Sequence, residues 1–241
     1  MMFKNLSEPS LATIYDDLWS RGRQALSSGR LVAESLPSPG TSRWGISAVF
    51  RPWSRALAEC SEDCRLLVGP DSVVYGEDNL HVTLRSLEGW RSEVADQDDA
   101  LGVYRDVLTS VVKHRPAPRI RFRGLTASAS GVHVQGWPLD DVQALRIELH
   151  ATLLERLLAA RLPITGPETK RVELRRTAHA TLAMYGPKVA HADELCAFIE
   201  RHRDTDFGEQ CFETLWLVGY RRTSQSVALT THGRFDFGGV R

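Results

Sequence analysis

The chain has 241 residues, long enough to bury a sizeable core, and its 42% hydrophobic and 25% charged residues are those of an ordinary globular protein. Its 30 basic and 30 acidic residues cancel, which excludes a global field drawing it to nucleic acid or membrane, so any grip on phosphate must be local. Met1 to Trp19 lacks the apolar centre of a signal peptide, and no apolar run approaches the ~20 residues of a membrane helix, so the expected location is cytoplasmic, with no membrane partner.

Leu11, Ile14, Tyr15, Leu18 and Trp19 recur at helical spacing, and the stretch Ser35 to Ser42, with Pro37, Pro39 and Gly40, breaks the pattern. Residues 1–42 therefore read as an N-terminal extension, and 43–241 as the main domain. Within that domain Trp44 to Phe50 reads as a strand, Ser54 to Leu67 as a helix, Leu80 to Leu87 as a strand and Ala100 to His114 as a helix. Arg119 to Leu125 and Val132 to Trp137 are strands around the turn Ser128-Ala129-Ser130-Gly131. Asp140 or Asp141 can cap a helix with the stripe Val142, Leu145, Leu149, Leu153, Leu157. A strand within Arg171 to Tyr185, a helix over Ala192 to His202, and strands over Cys211 to Arg222 and Ser226 to Phe237 complete the chain. Cys60 and Cys64, at i, i+4 on the second helix, read as free thiols, as do Cys196 and Cys211.

Strand, helix, strand, strand thus occurs twice, from Leu80 and from Ala178, which predicts an α+β fold with two similar lobes. Each unit opens on the same pattern: Leu80-His81-Val82-Thr83-Leu84 and Ala178-His179-Ala180-Thr181-Leu182. Strand side chains alternate between faces, so His81 and Thr83 share one face and His179 and Thr181 another, each opposite an apolar set. If a pseudo-two-fold relates the lobes, the polar faces converge on one cleft. Two imidazoles titrating near neutrality can act as base and acid in displacement at phosphorus, and hydroxyls can donate to the non-bridging oxygens where charge accumulates.

These paired segments resemble the signatures of the two-histidine (2H) phosphoesterase superfamily, which includes bacterial 2′-5′ RNA ligases and RNA 2′,3′-cyclic phosphodiesterases. The resemblance spans roughly Arg43 to Phe237 and implies a bilobal α+β fold, antiparallel sheets flanked by helices around a central cleft lined by His81, Thr83, His179 and Thr181. It implies a metal-independent phosphodiesterase that opens the 2′,3′-cyclic phosphate of an RNA terminus or small nucleotide to a 2′-phosphate, with one histidine as base and the other as acid. His179 is read as base and His81 as acid, and the reverse assignment stays open. Alternatives are cleavage of 2′-5′-linked oligonucleotides or a cyclic signalling nucleotide, 2′-5′ ligation, or an RNA-binding module without turnover.

Around the motifs, strict alternation places Arg85 beside His81 and Thr83 as a phosphate or ribose contact, and Tyr185 on the comparable face of the second unit as a base-stacking residue. Basic residues cluster at Lys113, Arg115, Arg119, Arg121, Arg123 and at Lys170, Arg171, Arg175, Arg176. The histidines outside the motifs are scattered and no His-Glu-x-x-His or carboxylate array occurs, so neither metal nor cofactor is expected. The protein is expected to act as a monomer.

Overall fold

The computed structural model describes residues 10–33, 37–38, 42–91, 93–95, 97–163, 175–223 and 226–239. In chain order these form α1 (Leu11–Ser28), β1 (Arg43–Phe50), α2 (Arg55–Val68), β2 (Val73–Val74), β3 (Val82–Arg91), α3 (Asp99–Val112), β4 (Arg119–Ser128), β5 (Gly131–Pro138), α4 (Val142–Ala159), β6 (Ala180–Met184), α5 (Ala192–Arg201), β7 (Asp206–Cys211), β8 (Thr214–Arg222) and β9 (Val227–Asp236). Local chemistry sets the helix starts: Ser10, Ser54, Asp98 and Asp141 each accept a first-turn backbone N–H from α1, α2, α3 and α4. The two short or polar strands, β2 and β7, have no alternating apolar pattern and are additions to the sequence-based expectation.

All pairings are antiparallel, in one nine-stranded sheet ordered β7-β4-β5-β6-β3-β1-β8-β9, with β2 on β6. The sheet divides at its middle. Between β6 and β3 the ladder is a single pair, Val82 with Ala180, whereas pairs elsewhere run along most of a strand. On one side lie β7, β4, β5 and β6, packed by α1, α2 and α5; on the other lie β3, β1, β8 and β9, packed by α3 and α4. This is the bilobal α+β architecture expected, with one correction of detail. Each lobe takes its motif strand from one sequence unit and its hairpin from the other: β4–β5 sits beside β6, and β8 sits beside β1 next to β3. The single β3–β6 pair is what joins the two lobes into one sheet rather than two.

Apolar side chains of β1, β3, β4, β5 and β6 form a continuous core with the helices, including Ile46, Phe50, Leu84, Phe122, Val134 and Leu182. The N-terminal helix belongs to it. Tyr15 of α1 is buried, its hydroxyl donates to the Gly136 carbonyl (2.9 Å) and accepts from the Gly136 N–H (3.1 Å). Gly22 lets α1 approach the Ala127 backbone, where a Cβ would lie 2.4 Å from the carbonyl oxygen. Cys60 and Cys64 are buried free thiols on α2.

Candidate active site

Both His-x-Thr segments run into the seam between the lobes. The register that pairs Val82 with Ala180 sets His81 across from Thr181 and Thr83 across from His179. All four side chains line one cleft of about 280 Å³, together with Ser47, Tyr75, Ser86, Ser130, His133, Arg175, Met184, Tyr220, Arg222 and Val227. The convergence expected from the duplicated motif is therefore the geometry observed.

Because the central ladder is so short, something else must hold the motif strands together. Arg146 of α4 does so. Its guanidinium is buried and donates to the carbonyls of Leu84 (3.1 Å) and Thr83 (3.3 Å) on one side of the seam and of Arg175 (2.8 Å) and Thr177 (2.9 Å) on the other. A planar fork with five N–H donors suits this task in a way an ammonium does not. The apolar stripe of α4 hides this residue from a sequence reading.

Each imidazole is fixed through Nδ1. That of His81 lies 2.8 Å from the Asn79 carbonyl, which can only accept, so this nitrogen carries hydrogen. That of His179 lies 2.9 Å from the Thr177 hydroxyl. Neither Nε2 has a hydrogen-bond partner among the described residues. Burial holds both rings below the ordinary imidazole pKa. The Asn79 carbonyl opposes the shift at His81. At His179 burial is reinforced by His133, Arg175, Arg146 and His81, and its pKa falls well below 6.5.

A third histidine belongs to the site. His133 of β5 has its ring 4.6 Å from that of His179, places Nδ1 3.2 Å from the Thr181 hydroxyl and Nε2 3.0 Å from that of Ser128. Burial, then the charge of Arg175, push its pKa down to about 4, so it is neutral at neutral pH and carries one N–H. Sequence reasoning leaves His133 among the scattered histidines, although the alternation of Val132, His133, Val134 was a usable signal for an imidazole facing away from the core.

Two expected contacts are corrected. Arg85 is buried at 1% exposure, and its Nη2 donates to His150 Nδ1 at 2.7 Å on the helix side of the sheet. Tyr185 is also buried at 1%, and its hydroxyl has no hydrogen-bond partner among the described residues. Both misplacements have one cause. On β3, Thr83 pairs with Val49 but Arg85 pairs with Ala48, leaving Leu84 as an extra residue. On β6, Thr181 pairs with His133 but Ala183 pairs with Val132, leaving Leu182 as the extra residue. A β-bulge directly after each motif threonine reverses the alternation. Leu84 and Arg85, and likewise Leu182 and Ala183, then face the core, while Ser86 and Met184 turn into the cleft. The bulges occupy equivalent positions, so the pseudo-two-fold extends to local backbone irregularity.

In the first basic cluster, four of the five residues are paired: Arg115, Arg119, Arg121 and Arg123 with Glu148, Asp140, Asp206 and Asp204. Lys170 and Arg171 lie outside the described residues, while Arg175 reaches the cleft. Arg222 is buried, lines the same cleft, and donates to the Met184 sulfur at 3.4 Å. Tyr75 sets its ring edge-on to His81 at 5.8 Å, and its hydroxyl donates to the same sulfur at 3.1 Å. Among the described residues no group of three or more His, Cys, Asp or Glu side chains is placed to hold a metal ion, and no helix is long and apolar enough to cross a membrane.

No protein-family model matches the chain, and no curated protein matches it by sequence. Solved structures do match. TT0787 of Thermus thermophilus aligns with a TM-score of 0.58 at 22% identity, over 83% of this chain and 100% of that one. E. coli LigT aligns in its apo form with a TM-score of 0.52 at 11% identity, over 81% and 98%. LigT complexed with 3′-AMP aligns with 0.51 at 12%, over 81% and 98%. The chain has the α+β fold of TT0787 and LigT.

Proposed function

We propose that the chain is a 2H phosphoesterase whose four motif side chains, His81, Thr83, His179 and Thr181, open the 2′,3′-cyclic phosphate of an RNA end or small nucleotide without a metal. The observation that carries this is the meeting of two hydrogen-bonded imidazoles, each with an open Nε2, across a cleft that also holds two threonine hydroxyls and two arginines. That a like-folded protein, LigT, has been captured with 3′-AMP supports a nucleotide as the bound class.

The environments of the rings divide the roles. His179, held most firmly neutral, takes a proton from the attacking water at Nε2. His81, whose Nδ1–H rests on a carbonyl that favours the charged ring, protonates the departing ribose O3′. The anionic phosphate raises the pKa of both rings as it binds, which lets His81 carry the proton it must give. As the P–O3′ bond breaks and the water oxygen bonds to phosphorus, charge builds on the non-bridging oxygens. Thr83, Thr181 and Arg175 stabilise it there. The product carries a 2′-phosphate and a free 3′-hydroxyl.

Incubating the protein with nucleoside 2′,3′-cyclic phosphates and with short RNAs ending in that group tests this reading, with products resolved by phosphate position. A 2′-phosphate product is expected, with EDTA having no effect. Formation of the 3′-isomer, or no reaction with either substrate, overturns it.

A further inference from the structure

The cleft face of the second lobe does not end at the catalytic seam. Directly opposed residues share a face of a sheet, and the row Thr83–Val49–Trp216–Arg234 crosses β3, β1, β8 and β9 from the motif outward. Arg51 follows Ser47 and Val49 on the same face, one step past the pair Phe50–Val82, which brings it across from His81. Its Nη2 donates to the Asp78 carbonyl at 3.0 Å, in the turn leading to His81.

On this face the guanidinium of Arg51 lies 5.3 Å from the Trp216 ring centre and that of Arg234 lies 4.6 Å from it. Neither arginine forms an ion pair with a carboxylate among the described residues, unlike the arginines of β4. An indole flanked by two guanidinium groups restrains both side chains, a suitable arrangement for donating to phosphate oxygens. Trp216 stands two strands from Thr83, about 10 Å at the usual strand spacing, within reach of a neighbouring nucleotide. In a chain of zero net charge, attraction for a polyanion must come from local cations, and this pair extends the one that Arg175 and Arg222 begin in the cleft.

We infer that Arg51, Trp216 and Arg234 form a second phosphate-binding subsite, which takes the backbone phosphate next to the reacting one and selects RNA strands over mononucleotides. This rests on the phosphodiesterase reading for its catalytic consequence, and on the subsite geometry alone for binding.

The test compares kcat/KM for adenosine 2′,3′-cyclic phosphate with that for a short RNA bearing the same terminus, in the wild type and in Arg234→Gln, an exposed position where folding is not at stake. The wild type favours the RNA, and the substitution cuts that preference about tenfold and flattens the log–log salt dependence for RNA by about 0.7. An equal loss on both substrates, or no preference in the wild type, overturns the subsite. If neither substrate reacts, the catalytic reading has failed on its own account. The subsite is then read from fluorescence anisotropy of a labelled RNA ending in a 2′-phosphate: weaker binding by Arg234→Gln and Trp216→Leu supports it, and unchanged binding overturns it.

Discussion

Replacing Arg146 with methionine removes the guanidinium that joins β3 to the segment leading into β6 while keeping a side chain of similar length. Four carbonyls lose a donor, two on each side of a seam whose ladder is one residue pair. A hydrogen bond from a charged donor contributes about 1.5–3 kcal/mol, but four bonds to one group do not add. A buried acceptor left unsatisfied costs about 1–3 kcal/mol, so the loss of several non-additive bonds comes to about 3–5 kcal/mol, which for a chain of this length lowers Tm by roughly 10 °C. Thermal melting and urea unfolding measure that loss. Turnover of a cyclic phosphate measures whether the imidazoles have moved apart, with kcat expected to fall about 10²-fold for a displacement near 1 Å. Arg146→Lys, with three donors on one nitrogen, recovers part of the stability. A methionine variant melting within about 2 °C of the wild type with full activity would refute the clamp.

Two further outcomes follow from the buried imidazoles. The folded-state pKa of His133 lies near 4 against 6.5 for the free side chain, so the unfolded chain binds the proton first as pH falls. Stability is then full above about pH 6.5 and declines towards pH 4, by roughly 3 kcal/mol for this residue alone. His81, His150 and His179 are shifted in the same direction and add to the decline. Urea midpoints that stay level between pH 7 and pH 5 would contradict this. Separately, His133→Phe removes the partner of the Thr181 hydroxyl and is expected to lower kcat at least tenfold with little change in KM. If the two residues act as a unit, adding Thr181→Val costs no more than either change alone, and strict additivity in that double-mutant cycle would separate them.

Much of the site is legible in the residues because alternation is a local property. Leu80, Val82 and Leu84 are core and His81 and Thr83 are not, whichever sheet receives the strand. The legibility stops at the bulge. Leu84 and Leu182 are apolar on either side of the slip, so nothing in the pattern shows that Arg85 and Tyr185 have been carried into the core and Ser86 and Met184 into the cleft. A charged residue buried beside His150 is a tertiary solution that alternation cannot express. Similarly, β7 is a largely exposed polar strand stabilised by pairing with β4 rather than by burial, and its sequence, Asp206 to Cys211, carries no periodic signal. The stripe on α1 announces a helix with something to cover. That it covers β4 and β5, through Tyr15 at Gly136, depends on a partner more than a hundred residues away.

The proposed mechanism stands or falls on the paired imidazoles. Its most direct test is kcat for a nucleoside 2′,3′-cyclic phosphate, measured in EDTA for the wild type, His81→Ala and His179→Ala. Each alanine should reduce kcat by about 10² or more while the melting temperature shows the fold intact. Wild-type turnover by either variant, or activity in the parent that vanishes with the chelator, would contradict a two-histidine, metal-independent reaction.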